Sequence, residues 1–279
     1  VPTSADEVVI PNVSNDPVIA DGTNPEVVSI TLEGSATLTC GNNNITVNGE
    51  SSQYAFKGIG TVIPQTSTVI VTTDADTLIK CEAGSFNNLT INPDGGNDTI
   101  TLYSAVTVGG NLTITGGTLD TRSGSNHALT VTGTTTLNGG TLTCNASTIS
   151  LGSGRITAAN GLSVSGGTFT GGSGTHTMGT CYITGGTTTF TSGTTTLDGV
   201  HTSSTANFNQ YAGVFNHGGG TIINTVDRDN VITQNVDNIT FNNYTLNIGN
   251  SRTLQVYNYD NERTITIEGD LLMTTGTFN

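Results

Sequence analysis

The chain is poor in charge, in basic residues above all. Charged side chains make up 10% of its 279 residues, Lys and Arg number 7 against 21 Asp and Glu, and the formal net charge is −14. An average domain carries about 25% charged residues. With no basic patch to meet phosphates, nucleic-acid binding is excluded as a reading. Trp is absent, Lys occurs only at 57 and 80, and the residues that build helices are scarce, which excludes helical bundles, coiled coils and doubly wound α/β enzymes. No run approaches the ~20 apolar residues of a membrane span. The chain opens on Val1 rather than Met and stops in mid-pattern at Asn279, which reads as a segment of a longer product.

What is abundant is Gly (37 positions), Asn and, at about one position in five, Thr. Low charge and many Gly lean toward disorder, but apolar residues recur at every second position in short runs, the strand period: Leu112-Thr-Ile114, Leu129-Thr-Val131, Leu162-Ser-Val164, Ile265-Thr-Ile267. β-Branched Thr suits the exposed side of a pleated surface.

A phrase repeats. Gly-Gly-Thr followed by a large apolar residue closes Ile114–Leu119, Leu137–Leu142 and Val164–Phe169, recurs at Ile183-Thr-Gly-Gly-Thr, and ends the chain as Met273-Thr-Thr-Gly-Thr-Phe278. Successive central copies, roughly 19–27 residues apart, have the period of a solenoid turn. A longer duplication surrounds them: Phe86-Asn-Asn-Leu-Thr-Ile91 leads to Val106–Asp120 as Phe241-Asn-Asn-Tyr-Thr-Leu246 leads to Ile265–Asn279. The expected fold is all-β, a right-handed parallel β-helix of about a dozen turns stacked at ~4.8 Å, with Gly at the corners. Small antiparallel sandwiches with hairpins at Asn48-Gly49, Asn138-Gly139 and Asn160-Gly161 are the rival. Three zones are expected: residues 1–50, which combine Pro2, Pro11, Pro17 and Pro25 with Asp6, Glu7, Asp16, Asp21, Glu26 and Glu33, as an irregular first turn and cap; 51–197 as regular turns; and 198–279 as less regular turns continuing beyond the segment.

Val1–Pro11, Asp16-Pro-Val-Ile19, Ser29–Leu38, Ile45–Gly49 and the Phe86–Asp120 phrase together resemble the β-helical repeat regions of large bacterial secreted and cell-surface, adhesin-like proteins. The resemblance covers about 1–50, 86–121 and 241–279. It implies a right-handed β-helix, export to the cell surface or beyond, and a structural or adhesive role without catalytic residues. Under that implied export, the even cysteine count suggests disulfides among Cys40, Cys81, Cys144 and Cys181, paired 40–81 and 144–181, with buried free thiols as the alternative.

The remaining chemistry is weak. Asp94-Gly-Gly-Asn-Asp98 resembles one calcium-binding nonapeptide, but it occurs once, and Asp74/Asp76, Asp227/Asp229 and Asp260/Glu262 read more simply as turn acids than as calcium ligands. The basic residues and His127, His176, His201 and His217 are scattered, whereas acid–base catalysis needs two groups at fixed separation. Tyr211, Tyr244, Tyr257 and Tyr259 could line a sugar-stacking row. The runs Thr134–Thr136, Thr187–Thr189 and Thr194–Thr196 could form a Thr-x-Thr array that orders water, but this requires equal register in consecutive turns, which varying turn length disfavours. Eight Asn-x-Ser/Thr sequons are no more than this composition yields by chance. The expected function is a non-enzymatic extracellular structural protein: the β-solenoid rod of an adhesin, or the subunit of a filament whose partner is itself, head to tail, with surface glycans as further partners. The alternative is a carbohydrate-binding or polysaccharide-cleaving β-helix.

Overall fold

Thr68–Val71 and Asn88–Ile91 each alternate half-exposed and buried side chains, the signature of a strand with one face in a core. Strands of this kind make up the fold. The computed structural model describes residues 2–50, 52–93, 97–153, 161–199, 206–225, 230–234, 238–248, 251–258 and 264–278. Among these, 31 strands from Glu7–Ile10 to Thr277–Phe278 and no helix are present, and therefore no helix long and apolar enough to cross a membrane.

The strands pair in parallel and stack into a β-solenoid of about ten turns, rather than the dozen expected, because several turns take more residues than the shortest repeat. At ~4.8 Å per turn the stack is on the order of 50 Å long. Each turn contributes one strand to each of three faces. The first face runs through Glu7–Ile10, Ser29–Leu32, Thr99–Leu102, Thr118–Asp120, Thr141–Thr143 and Thr168–Thr170. The second contains Asn44–Val47, Thr68–Val71, Asn88–Ile91, Leu112–Ile114, Thr135–Leu137 and Gly161–Val164. The third is an eight-stranded sheet from Val106–Val108 to Leu271–Thr275. The ladders cross residues 50 and 197 without interruption, through the pairing of Asn44–Val47 with Thr68–Val71 and of Thr194–Leu197 with Thr221–Asn224.

Because the register is conserved from turn to turn, the inward side chains form continuous columns. On the second face Val47, Val71, Ile91, Ile114, Leu137, Val164 and Ile183 are successive partners. On the third, Val108, Val131, Leu151, Met178 and Leu197 are. All are buried, and each contributes roughly 1.5–3 kcal/mol by leaving water. Farther along, Phe190, Phe208, Phe215 and Phe241 pack edge to face with centroids 4.9–6.2 Å apart and fill the core where the columns become less uniform.

The corners explain the glycines. Gly116, Gly140, Gly167 and Gly186 lie above one another, and a Cβ on any of the last three would strike the carbonyl oxygen of the one before. Gly186 also has φ +64°, a conformation that disfavours a side chain. At another corner asparagine side chains cap the next turn: the Asn111 amide donates to Asn88 Oδ1, and the Thr134 amide to Asn111 Oδ1, each at 2.9 Å.

Candidate functional site

At the N-terminal end, Glu7–Ile10 is paired on one side only among the described residues, with Ser29–Leu32. The inward columns therefore end in an apolar groove of about 440 Å³, lined by Val8, Ile10, Ile19, Val27, Ile30 and Leu38 and rimmed by Pro2, Pro17 and Pro25. The prolines lack the N–H that another strand would bond and leave the rim irregular. Val18 on this rim is 69% exposed. At the far end of the third face, Leu271 and Met273 continue the columns of Tyr244 and Leu246 but are about half exposed, as is Leu272. Both ends of the described stack thus present core-type side chains to solvent.

The four cysteines are free and buried, which corrects the expected disulfides. Cys144 follows a first-face strand, its amide bonded to Thr170 O, whereas Cys181 sits on the second face between Leu162 and Phe208. Cys40 follows Thr37–Thr39 and bonds Ile63 O, while Cys81 is paired with Gly58. Members of each expected pair belong to different columns. Burial pushes the Cys40 and Cys81 thiols up to about 11, with a Ser67 hydrogen bond opposing this at Cys40 and the neighbouring Cys40 adding to it at Cys81. Burial drives Cys144 and Cys181 higher still. These are core residues rather than nucleophiles.

The polar candidates do not converge. No group of three His, Cys, Asp or Glu capable of holding a metal occurs among the described residues. Asp76 accepts the Thr99 amide at 2.7 Å, and Asp74 lines a shallow polar hollow with Glu26, Thr46, Asn48 and Thr72. Asp94, Asp227, Arg228, Asp229, Asp260, Glu262, Arg155, Arg263, His201 and Tyr259 lie outside the described residues, as does the Tyr257 side chain. His217 Nε2 is 3.4 Å from Glu268. His176 is fully buried against Phe169, and neither ring nitrogen has a hydrogen-bond partner. Burial lowers its pKa to about 4, offset in part by the nearby Gly171 main chain, which falls short of hydrogen-bond geometry. Tyr244 is not part of an exposed row: it lies in the core, its hydroxyl accepting from Asn224 Nδ2, while Tyr211 packs half-buried on Tyr182.

The three Thr runs singled out in the sequence fall on three different faces, so they do not form one array. One of them, Thr187–Thr189, joins an array of other threonines. On the first face Thr99, Thr118, Thr141, Thr168 and Thr187 are successive partners, and so are Thr101, Asp120, Thr143, Thr170 and Thr189. Both rows point outward and are half-exposed, flanking the buried column Ile100, Leu119, Leu142, Phe169 and Thr188. The sequence signal was the tail of the repeated phrase, Gly-Gly-Thr-x-Thr at 139–143, 166–170 and 185–189. Positions 99, 118, 141, 168 and 187 are 19, 23, 27 and 19 residues apart, and the register holds because corners take up the difference. The corner 121–128, for example, closes on itself through Asn126 N to Arg122 O and His127 N to Thr121 O.

Comparison with protein-family models, with curated proteins and with solved structures finds no match to this chain.

Proposed function

We propose that the chain is a non-enzymatic structural rod of the extracellular surface, either the solenoid of an adhesin or the subunit of an extracellular filament, lengthened by stacking one copy's last turn on the next copy's first. The observation that carries this reading is the pair of unpaired solenoid ends: the apolar groove bounded by Val8, Ile19 and Leu38, and the half-exposed Leu271 and Met273 in line with the core columns. Stacking would bury both and continue the ladders. A heterologous end-to-end contact that does not close gives a filament. The continuous columns support a mechanical role, since backbone bonds and core repeat together along one axis. Electron microscopy of native material tests it. Filaments whose axial repeat equals one subunit length are expected, and single short rods at every concentration would overturn end-to-end stacking. If calcium joins these acidic subunits, chelator will lower the melting temperature.

A further inference from the structure

We propose that the double threonine row of the first face binds ice, a role independent of the end-to-end reading. Thr99, Thr118, Thr141, Thr168 and Thr187 form one row and Thr101, Thr143, Thr170 and Thr189 the other, with Asp120 the single departure. Neighbouring hydroxyls in a row are separated by the strand spacing, about 4.8 Å, and the rows by two residues of strand, about 6.6 Å. A direct O–H···O bond ends near 3.0 Å, so these hydroxyls cannot satisfy one another across a gap. One water making bonds of about 2.75 Å at a tetrahedral angle joins two oxygens about 4.5 Å apart. That is the second-neighbour oxygen separation in ice, and each gap in the row falls close to it. The array therefore seats one water per gap at nearly the spacing of the crystal.

Three further features favour an ordered water layer over ordinary hydration. The hydroxyls of Thr141, Thr143, Thr168, Thr170 and Thr187 have no hydrogen-bond partner among the described residues, while Thr72, Thr121 and Thr191 elsewhere spend theirs on Asn48 and on the carbonyls of Cys144 and Gly174. Threonine is stiff at χ1, so little side-chain freedom is lost when the layer forms. The array carries no Lys or Arg, and the Asp120 carboxylate is turned to its own corner by the Arg122 amide at 2.7 Å and by Asn145. The other faces lack a double row of threonine: outward positions on the third face form one file over Thr107, Thr130, Ser150, Thr177 and Thr196, and where two outward rows occur, from Thr194 onward on that face and over Asn44–Thr90 on the second, Asn and Ile interrupt the threonines.

The test is incorporation into a slowly grown ice hemisphere, together with thermal hysteresis, using the whole chain, Thr168→Tyr, Thr170→Tyr and, as a control on the third face, Thr130→Tyr. Circular dichroism and melting temperature establish that each variant is folded, and Thr168→Val serves in place of either first-face tyrosine variant that is not, as Thr130→Val does for the control. Expected are uptake of the unmodified protein and of Thr130→Tyr, and loss of uptake and hysteresis in the first-face variants. Exclusion of the unmodified protein from ice would overturn the proposal. So would equal uptake of all variants, or adsorption to microcrystalline cellulose without any effect on ice.

Discussion

At the scale of single residues, the interior contains groups whose chemistry is suppressed by burial. His176 shows this with a definite sign. The unfolded chain takes up a proton on His176 as pH falls below about 6.5, whereas the folded chain does so only near 4. Its contribution is therefore fully present above pH 6.5, declines between 6.5 and about 4, and is constant below. The loss over that window is about 3 kcal/mol. Urea midpoints should fall across it, and His176→Leu should flatten the profile. The buried thiols make a second prediction. Without reductant, a thiol reagent should react slowly with the native protein at pH 8 and titrate all four cysteines on denaturation, and reductant should leave the melting temperature unchanged. Their state was not legible in the sequence. An even count and implied export favour pairing, but only the register shows that Cys144 and Cys181 stand in different columns.

At the scale of the element, the working unit is the strand with its corner. The period-2 runs and the Gly-Gly-Thr phrase made the parallel solenoid readable in advance, because a corner that admits no Cβ and a strand with one buried face recur together. Which turns hold equal register could not be read that way. Turn length counts residues without telling whether a strand or a corner contains the extra ones. The corner glycines and the columns should be the costly positions to alter. Gly167→Ala drives a methyl onto the Gly140 carbonyl, and about 2 kcal/mol or more of destabilisation is expected in denaturant titration. Leu142→Ala, between Leu119 and Phe169 in a fully buried column, should cost about 2–5 kcal/mol. The exposed Thr130→Tyr should change stability by less than about 0.5 kcal/mol.

At the scale of the whole molecule, stability is close to a sum over turns and their interfaces, so it need not be uniform along the axis. The second-face column that begins Val47, Val71, Ile91 changes character after Ile183: its next member is Gln210, buried, with Oε1 unpartnered. Asn207 and Asn209 beside it are also buried, with both side-chain polar atoms unpartnered. Buried polar atoms without partners cost about 1–3 kcal/mol each. Amides of 206–224 should accordingly exchange with deuterium before those of 112–151, a gradient that mass spectrometry of proteolytic fragments resolves.

The direction of the ladder bonds has a mechanical consequence. In a parallel solenoid they lie along the axis, so a pull from end to end loads the turn-to-turn interfaces in series, and each carries the full force. Such a rod is stiff in bending and compression but opens under tension at its least cohesive joint. The polar layer around Gln210 is placed to act as that joint, letting turns peel away singly and dissipate a pull before the aliphatic stack from Val47 to Ile183 gives way.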